Sequence, residues 1–377
     1  MTFALADTDT NPTSGQPGHH PSHAPLLEQA ASAGWADVDV IIVPTARPSA
    51  YLRDAMSLAM QLECPVVALC SKWAHADRAF REARGMNAHL IATDIDETTS
   101  LIPFVTSTLL DGTRFARPTD VSLKRNLGLV LARMVGWESV VFLDDDMTHV
   151  KPDDMRSAAA LLSQFSAVGL ENVGFPDNSV VCHARRAVGE YQDSFIGGGA
   201  MAVPASRSTS FFPNIYNEDW FFLLDDNGFD KVAVAGQVVQ KAFDPYSDPR
   251  RARAEEFGDC LAEGIYALLD DGKSLADADE EFWRGFLDDR HQLIKDVLGK
   301  ASGLDLPPNE KDRMISALKA AQGRRAHITP AFCVAYLKAW REDRERWREY
   351  LAYIPSGTTP RKALDHLGLD AHIALTR

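Results

Sequence analysis

The sequence predicts an α/β protein with a mostly parallel sheet flanked by helices, followed by a helical C-terminal region. Three observations point to it. Through the first half of the chain, short β-branched apolar runs alternate with runs of helical periodicity, the pattern of a parallel sheet. One such apolar run leads straight into Asp144, Asp145 and Asp146, and ligands of parallel sheets gather beyond the carboxyl ends of the strands. After about residue 248 the strand pattern gives way to long helical runs.

Each element has its own signal. Residues 38–43 form a short apolar run ended by Pro44, a buried strand. Residues 49–62 place Leu52, Met56, Ala59 and Met60 at helical spacing, with Ser49 as the expected N-cap. Strands are expected at 65–70 and 90–93, with a helix over 73–84 that stops at Gly85. A helix over 122–135 ends at Gly136 and is followed by a strand over 139–143. Further strands are expected at 179–184, 195–203 and 231–239, and a short helix at 217–224. The closing helical runs cover 250–269, 278–299, 309–321 and 328–353. The expected organisation is a disordered tail over 1–36, an α/β domain over 37–248 and a helical region over 249–377.

Composition excludes several classes of protein. Hydrophobic residues are 45% and charged residues 24% of the 377, enough for a sizeable core. A formal net charge of -14 argues against nucleic acid as a partner, since phosphate backbones select basic surfaces. The five cysteines are widely spaced without a CxxC pair, so they read as reduced core thiols rather than a disulfide or zinc framework. The first residues have neither the basic start nor the apolar run of a signal peptide, and no apolar stretch is long enough to span a bilayer. A cytoplasmic location is the expectation. The tail carries His19, His20 and His23, which read as part of a flexible segment, able at most to bind a stray metal.

The segment Val140-Val141-Phe142-Leu143-Asp144-Asp145-Asp146 carries most of the chemical information. Three adjacent carboxylates repel one another, and burial raises the cost unless a cation compensates. Oxygen ligands of this kind suit Mn²⁺ or Mg²⁺, which can bridge a diphosphate. An acidic loop that merely caps the next helix is the competing structural reading. Upstream stand Lys124, Arg125, Asn126 and Gly128, with Ala132 four residues after that glycine. A helix of this form, then an apolar strand and three aspartates, resembles the GT-A glycosyltransferases, in particular glycosyltransferase family 2 and its relatives.

The resemblance spans approximately residues 38–248. It implies a GT-A fold and a metal-dependent hexosyltransferase-like enzyme that moves a sugar from a nucleotide-diphosphate-sugar donor to an acceptor hydroxyl. It places Asp144 toward the ribose and Asp146 on the metal, with Asp145 able to do either. Lys124, Arg125 and Asn126 approach the nucleotide or diphosphate, Pro44 and Thr45 line the base pocket, and Asp94 or Asp96 contacts the base. Gly197-Gly198-Gly199 matches a glycine-rich segment before the acceptor-side motif, where Gly198 and Gly199 let backbone approach the ligand. Asn217-Glu218-Asp219-Trp220 matches the family's acidic pair, with Asp219 as general base and Glu218 orienting the acceptor. N-capping by Asn217 is the competing reading there. Retaining relatives also carry acids in this region, so stereochemistry is not fixed. The chain departs from the family in two places. Ala46-Arg47-Pro48 replaces the usual polar continuation after the first strand. No histidine stands where a late metal ligand is common, which leaves Asp244 as the substitute. The helical region is expected to form an acceptor lid, a homodimer surface or a membrane-facing platform, with Trp340 and Trp347 available to any of these.

Two other functions fit parts of the sequence. Asp94-Ile95-Asp96-Glu97-Thr98 matches the nucleophile pattern of haloacid-dehalogenase-like phosphatases. A GT-A-like domain that binds nucleotide-sugar without turnover is the other.

Overall fold

The computed structural model describes residues 18–30 and 34–375. The expected tail over 1–36 falls largely outside the described residues, but its described part is packed on the protein. Residues Glu28–Gln29 form strand β1, parallel to a later strand of the sheet, and His23 is buried.

The first half of the sheet is laid down in chain order from the middle of the sheet towards one edge. Strand β2 (Val40–Thr45) leads to helix α1 (Arg53–Leu62), β3 (Val66–Cys70), α2 (Ala76–Met86) and β4 (Leu90–Asp94). All six residues of β2 are buried. Val40 and Ile42 pack on one face, Ile41 and Val43 on the other. This two-faced burial is why the run is continuously apolar rather than alternating. Helices α3 (Val105–Leu110) and α4 (Val121–Val135) then return the chain to the far side of β2, where β5 (Ser139–Leu143) pairs parallel to it. Strands β3 and β5 therefore flank β2, and the order of the sheet reverses between β2 and β5.

The second half is mixed. It comprises β6 (Met147–Thr148), α5 (Pro152–Leu161), β7 (Ala167–Asn172), α6 (Val180–Ala187), β8 (Ala200–Pro204), α7 (Glu218–Phe222) and β9 (Val232–Gln240). Strand β8 runs antiparallel to both β5 and β7. Five helices follow: α8 (Pro249–Asp270), α9 (Glu280–Ala301), α10 (Pro308–Arg325), α11 (Pro330–Tyr353) and α12 (Pro360–His366), before a last strand β10 (His372–Ala374). The sheet order is β1-β9-β7-β8-β5-β2-β3-β4-β10, with β6 on β9. One face is covered by α1, α2 and α5. The other packs α4 together with α8, α9, α11 and α12 in one continuous core.

Several expectations are corrected. Helix α2 runs through Gly85 and is terminated by Asn87, which takes the left-handed conformation at φ 56°. Ser49 opens a 3-10 turn and makes no side-chain cap. Residues 179–184 are not a strand but the start of α6. The Ser179 hydroxyl caps it by accepting from the Cys182 amide, and Val180, Val181 and Ala184 pack on the helix pair α9–α10. A short apolar run cannot by its period alone tell strand from buried helix. The strand expected at 195–203 begins only at Ala200. Strand β7 was not anticipated; Gly169 interrupts its β-branched character because a Cβ there would stand 2.7 Å from Ile196 Cβ. The C-terminal region ends in a strand antiparallel to β4, which ties it into the sheet. Trp340 and Trp347 are buried, so neither offers a dimer or membrane face. Among the described residues no helix is long and apolar enough to cross a membrane.

Candidate functional site

The three aspartates sit at the carboxyl end of β5, beside the reversal point between β2 and β5, where a crevice opens in sheets of this kind. They diverge there. The Asp144 amide donates to the Gly199 carbonyl at 2.8 Å, which extends the β5–β8 ladder by one bond. Asp145 is buried against the end of β2, where it accepts from the Thr45 hydroxyl at 2.6 Å and from the Arg47 guanidinium. Arg47 Nη2 also donates to Asp146 Oδ2 at 3.0 Å. Thus Arg47, in the segment that departs from the family, neutralises two of the three acids.

Asp144 faces a cavity of about 190 Å³ whose walls come from several distant segments. Arg125 of α4, Asp144, Gly197 and Gly199, and Glu218 and Asp219 of α7 all line it, as does Asp177 from the loop after β7. Arg125 is buried and bridges two of the acids. Its Nη1 donates to Glu218 Oε1 at 2.6 Å and its Nη2 to Asp144 Oδ1 at 3.0 Å. The Phe212 ring lies 5.6 Å from its Cζ. Burial alone would favour the neutral guanidine, but Asp144, Glu218 and Asp219 more than offset it and hold the group above its usual range.

The three glycines are required by close approach. A Cβ on Gly197 would stand 2.6 Å from Asp219 Oδ2, one on Gly198 2.5 Å from Arg125 Cζ, and one on Gly199 2.5 Å from Met147 Cε. Backbone amides fix Asp219 in turn: Gly198 donates to Oδ2 at 2.7 Å and Trp220 to Oδ1 at 2.9 Å. Asn217 takes the left-handed conformation before α7 and makes no side-chain cap, so the cap reading of this motif is not realised.

The cavity is crowded with negative charge. Desolvation pushes the Asp144 carboxyl up to about 7; Arg125 opposes this, and Asp146, Asp145 and Asp177 add to it. Asp144 keeps 31% of its side chain exposed, so water and ions reach it. Asp177 is likewise raised to about 7 by desolvation and by Asp219 and Asp146. Burial raises Glu218 against the pull of Arg125. Such a site favours a cation, and its oxygens are of the hard class that suits Mg²⁺ or Mn²⁺. Asp144 and Asp146 could supply two carboxylates, which is what such ions take from a protein when a diphosphate and water complete the shell. Asp244 does not complete a triad. It accepts from the Tyr246 amide at 2.9 Å and pairs with Arg313, and Asp144, Asp146 and Asp244 do not gather three ligand oxygens within 4.8 Å.

The remaining sequence-selected residues lie around this centre in other roles. Pro44 is buried inside β2. Lys124 is buried and donates to the Thr45 carbonyl at 2.8 Å and the Ser71 hydroxyl at 2.6 Å. Asn126 exchanges bonds with the Phe212 backbone through both its amide atoms, at 2.8 Å each. Asp94 is exposed and caps α2 by accepting from the Ala76 amide. Asp96 is exposed and holds its own turn through Thr98 and Thr99. A phosphatase of that pattern needs both carboxylates at one pocket; Asp96 lines a groove together with Phe104 and Asp120, whereas Asp94 is turned to the start of α2 and does not line it.

Sequence reasoning missed Arg47, Asp177, the segment around His23, and Arg117, which lines the cavity with its Nη1 4.0 Å from Glu218 Oε2. Asp177 would have been visible had β7 been recognised, because it follows the carboxyl end of a strand parallel to β5. His23 closes one side of the cavity. Its ring lies 5.3 Å from Trp220 and 5.4 Å from Tyr266. Burial disfavours its charged form, but bonds to Asp270 and Glu263 win and push it up to about 9.

No protein-family model matches the chain, and no curated protein matches it. Among solved structures it is similar to the mannosyltransferase PcManGT from Pyrobaculum calidifontis in complex with GDP-Man and Mn²⁺, at 16% identity over 87% of this chain and 88% of that one, with a TM-score of 0.41. At that identity and TM-score, the chemistry of this chain has to be read from its own residues.

Proposed function

We propose that the chain is a divalent-metal-dependent glycosyltransferase of GT-A type, using a nucleotide-diphosphate-sugar donor. One observation carries this reading: Arg125, Asp144, the glycine loop and Glu218–Asp219 come from four separate segments and meet on one cavity beside the sheet's reversal point. A bound Mn²⁺ or Mg²⁺ would neutralise the diphosphate and its developing charge as it leaves. Asp144 and Asp146 are the residues to hold it. Arg47, on the rim with Asp145 and Asp146, supplies a positive charge for the phosphates. Asp219, held by two backbone amides, takes the proton from an acceptor hydroxyl as that oxygen bonds to the anomeric carbon and the bond to the diphosphate breaks. Glu218 is a positioning residue, because its carboxylate is engaged by Arg125.

The test is a thermal-shift and calorimetric screen of UDP, GDP and their sugar conjugates with and without Mn²⁺. Metal-dependent stabilisation by a nucleoside diphosphate, lost in Asp146→Ala, supports the reading. Absence of such stabilisation across the panel overturns it.

A further inference from the structure

At the rim of the cavity stands a second cluster of ionisable side chains, of a different chemical class from the aspartates. His19, Cys182 of α6 and Glu263 of α8 bring a ring nitrogen, a thiol sulfur and a carboxylate oxygen within 4.8 Å of one another. Cys182 and Glu263 are buried, and the His19 side chain is 4% exposed. No disulfide uses the sulfur.

The hydrogen bonds fix which histidine nitrogen is available. Arg185 Nη1 donates to Gln192 Oε1 at 3.0 Å, so this amide presents its oxygen. The same oxygen lies 3.1 Å from His19 Nε2, which must therefore carry the proton. In the neutral ring Nδ1 is then a bare lone pair. It has no hydrogen-bond partner, and it faces Glu263 Oε2 at 3.4 Å. Two lone-pair atoms face each other in a closed space, and Cys182 Sγ lies 3.9 Å from the other Glu263 oxygen. Glu263 is compensated by His23, whose Nε2 donates to Oε2 at 3.2 Å, and by the Cys182 thiol at its other oxygen; the buried His19 Nδ1 lone pair alone has no donor, and a cation held among the three groups would satisfy it.

We infer that His19 Nδ1, Cys182 Sγ and Glu263 bind a borderline transition-metal ion, of which Zn²⁺ is the natural occupant. Tetrahedral Zn²⁺ with bonds of about 2.0–2.3 Å has ligand–ligand edges of roughly 3.3–3.8 Å; His19 Nδ1 to Glu263 Oε2, at 3.4 Å, is already such an edge, and the sulfur lies within 4.8 Å of both partners. Nitrogen, sulfur and oxygen together suit this ion, whereas Mg²⁺ and Mn²⁺ prefer the all-oxygen aspartate centre. Gln192 orients the histidine from outside, as hydrogen-bond partners of metal-bound imidazoles commonly do. The ion pins the segment around residue 19 to α6 and α8, and two of its ligands line the cavity wall. The inference does not depend on the glycosyltransferase reading.

The test uses the full chain, dialysed against EDTA and titrated with Zn²⁺ and then Co²⁺, with circular dichroism as the folding control. The expected result is one Zn²⁺ per chain and a near-ultraviolet thiolate-to-Co²⁺ charge-transfer band that disappears in Cys182→Ala. The aspartate centre has no sulfur and contributes no such band. His19→Gln, on a peripheral segment, keeps the fold and weakens Co²⁺ binding at least about tenfold; Gln192→Leu weakens it by roughly tenfold. A Co²⁺ complex without the thiolate band, a band that survives Cys182→Ala, or an affinity indifferent to His19→Gln overturns the site in favour of a protonated His19 paired with Glu263.

Discussion

Gly198 lies so close to Arg125 that a Cβ on the glycine would stand 2.5 Å from the guanidinium carbon. Backbone and cation pack closely behind the cavity wall, with Phe212 near the guanidinium as well. Gly198→Ala must push the guanidinium off Asp144 and Glu218 or move the loop. Overpacking of this kind costs about 1–3 kcal/mol, and metal-dependent nucleotide binding should fall with it. The matched control is Gly85→Ala. Gly85 is in the last turn of α2 with open space around its Cβ position, so the alanine should raise stability, by about 0.5 kcal/mol. Urea denaturation of the two variants should show shifts of opposite sign.

Arg125 also decides how the acids tolerate burial. Removing one partner of a buried ion pair leaves the others uncompensated, at about 3–5 kcal/mol. Arg125→Met should approach that loss by urea denaturation at neutral pH. Arg125→Lys keeps the charge but not the fork that reaches Asp144 and Glu218 together. It should recover part of the stability without restoring nucleotide binding. Full binding in the lysine variant would show that the bridge geometry is dispensable.

Asp219 is expected to act on the acceptor and not on the donor. Both of its oxygens accept backbone amide bonds, and asparagine could satisfy only one of them. Asp219→Asn should lower the transfer rate by about 10²–10⁴-fold while changing nucleoside-diphosphate affinity less than about threefold. Initial-rate assays of diphosphate release and calorimetry separate the two effects. A parallel collapse of affinity would move Asp219 to the donor side.

The parts of this site that were legible in sequence are those where local chemistry is self-contained. An apolar strand ending in Asp144–Asp146 announces its position, and Glu218–Asp219 and the glycine run stand out by composition alone. Their convergence on Arg125 was expected only through a family pattern, because contacts such as Arg125–Glu218 span 93 positions. What stayed hidden depended on tertiary context. Arg47 looked like a departure from pattern and turns out to neutralise Asp145 and Asp146. Lys124 and Asn126, which look like ligands for phosphate, are consumed by backbone carbonyls and the Ser71 hydroxyl. His19 and His23 sat in a composition typical of flexible tails, and only the acids of α8 reveal what they pack against.

His183 offers a test of stability against pH. Its ring lies between Phe175 and Phe243, with centroids at 5.0 and 5.6 Å, and its Nε2 is buried without a partner. Burial, followed by Arg251 and Arg186, depresses it to about 4. The unfolded chain takes up this proton near pH 6.5 and the folded chain does not, so stability falls on acidification between those two values. Moving from pH 7 to pH 5 should cost about 2 kcal/mol at this residue alone. Carboxylates titrate in the same range, so the informative quantity is a difference between variants. Urea denaturation at pH 7 and pH 5, with chelator present to exclude bound metal, should show a loss about 2 kcal/mol smaller in His183→Phe than in the parent. An equal loss in both would mean that the folded chain protonates this imidazole as readily as water does, and that the aromatic cage does not exclude its charge.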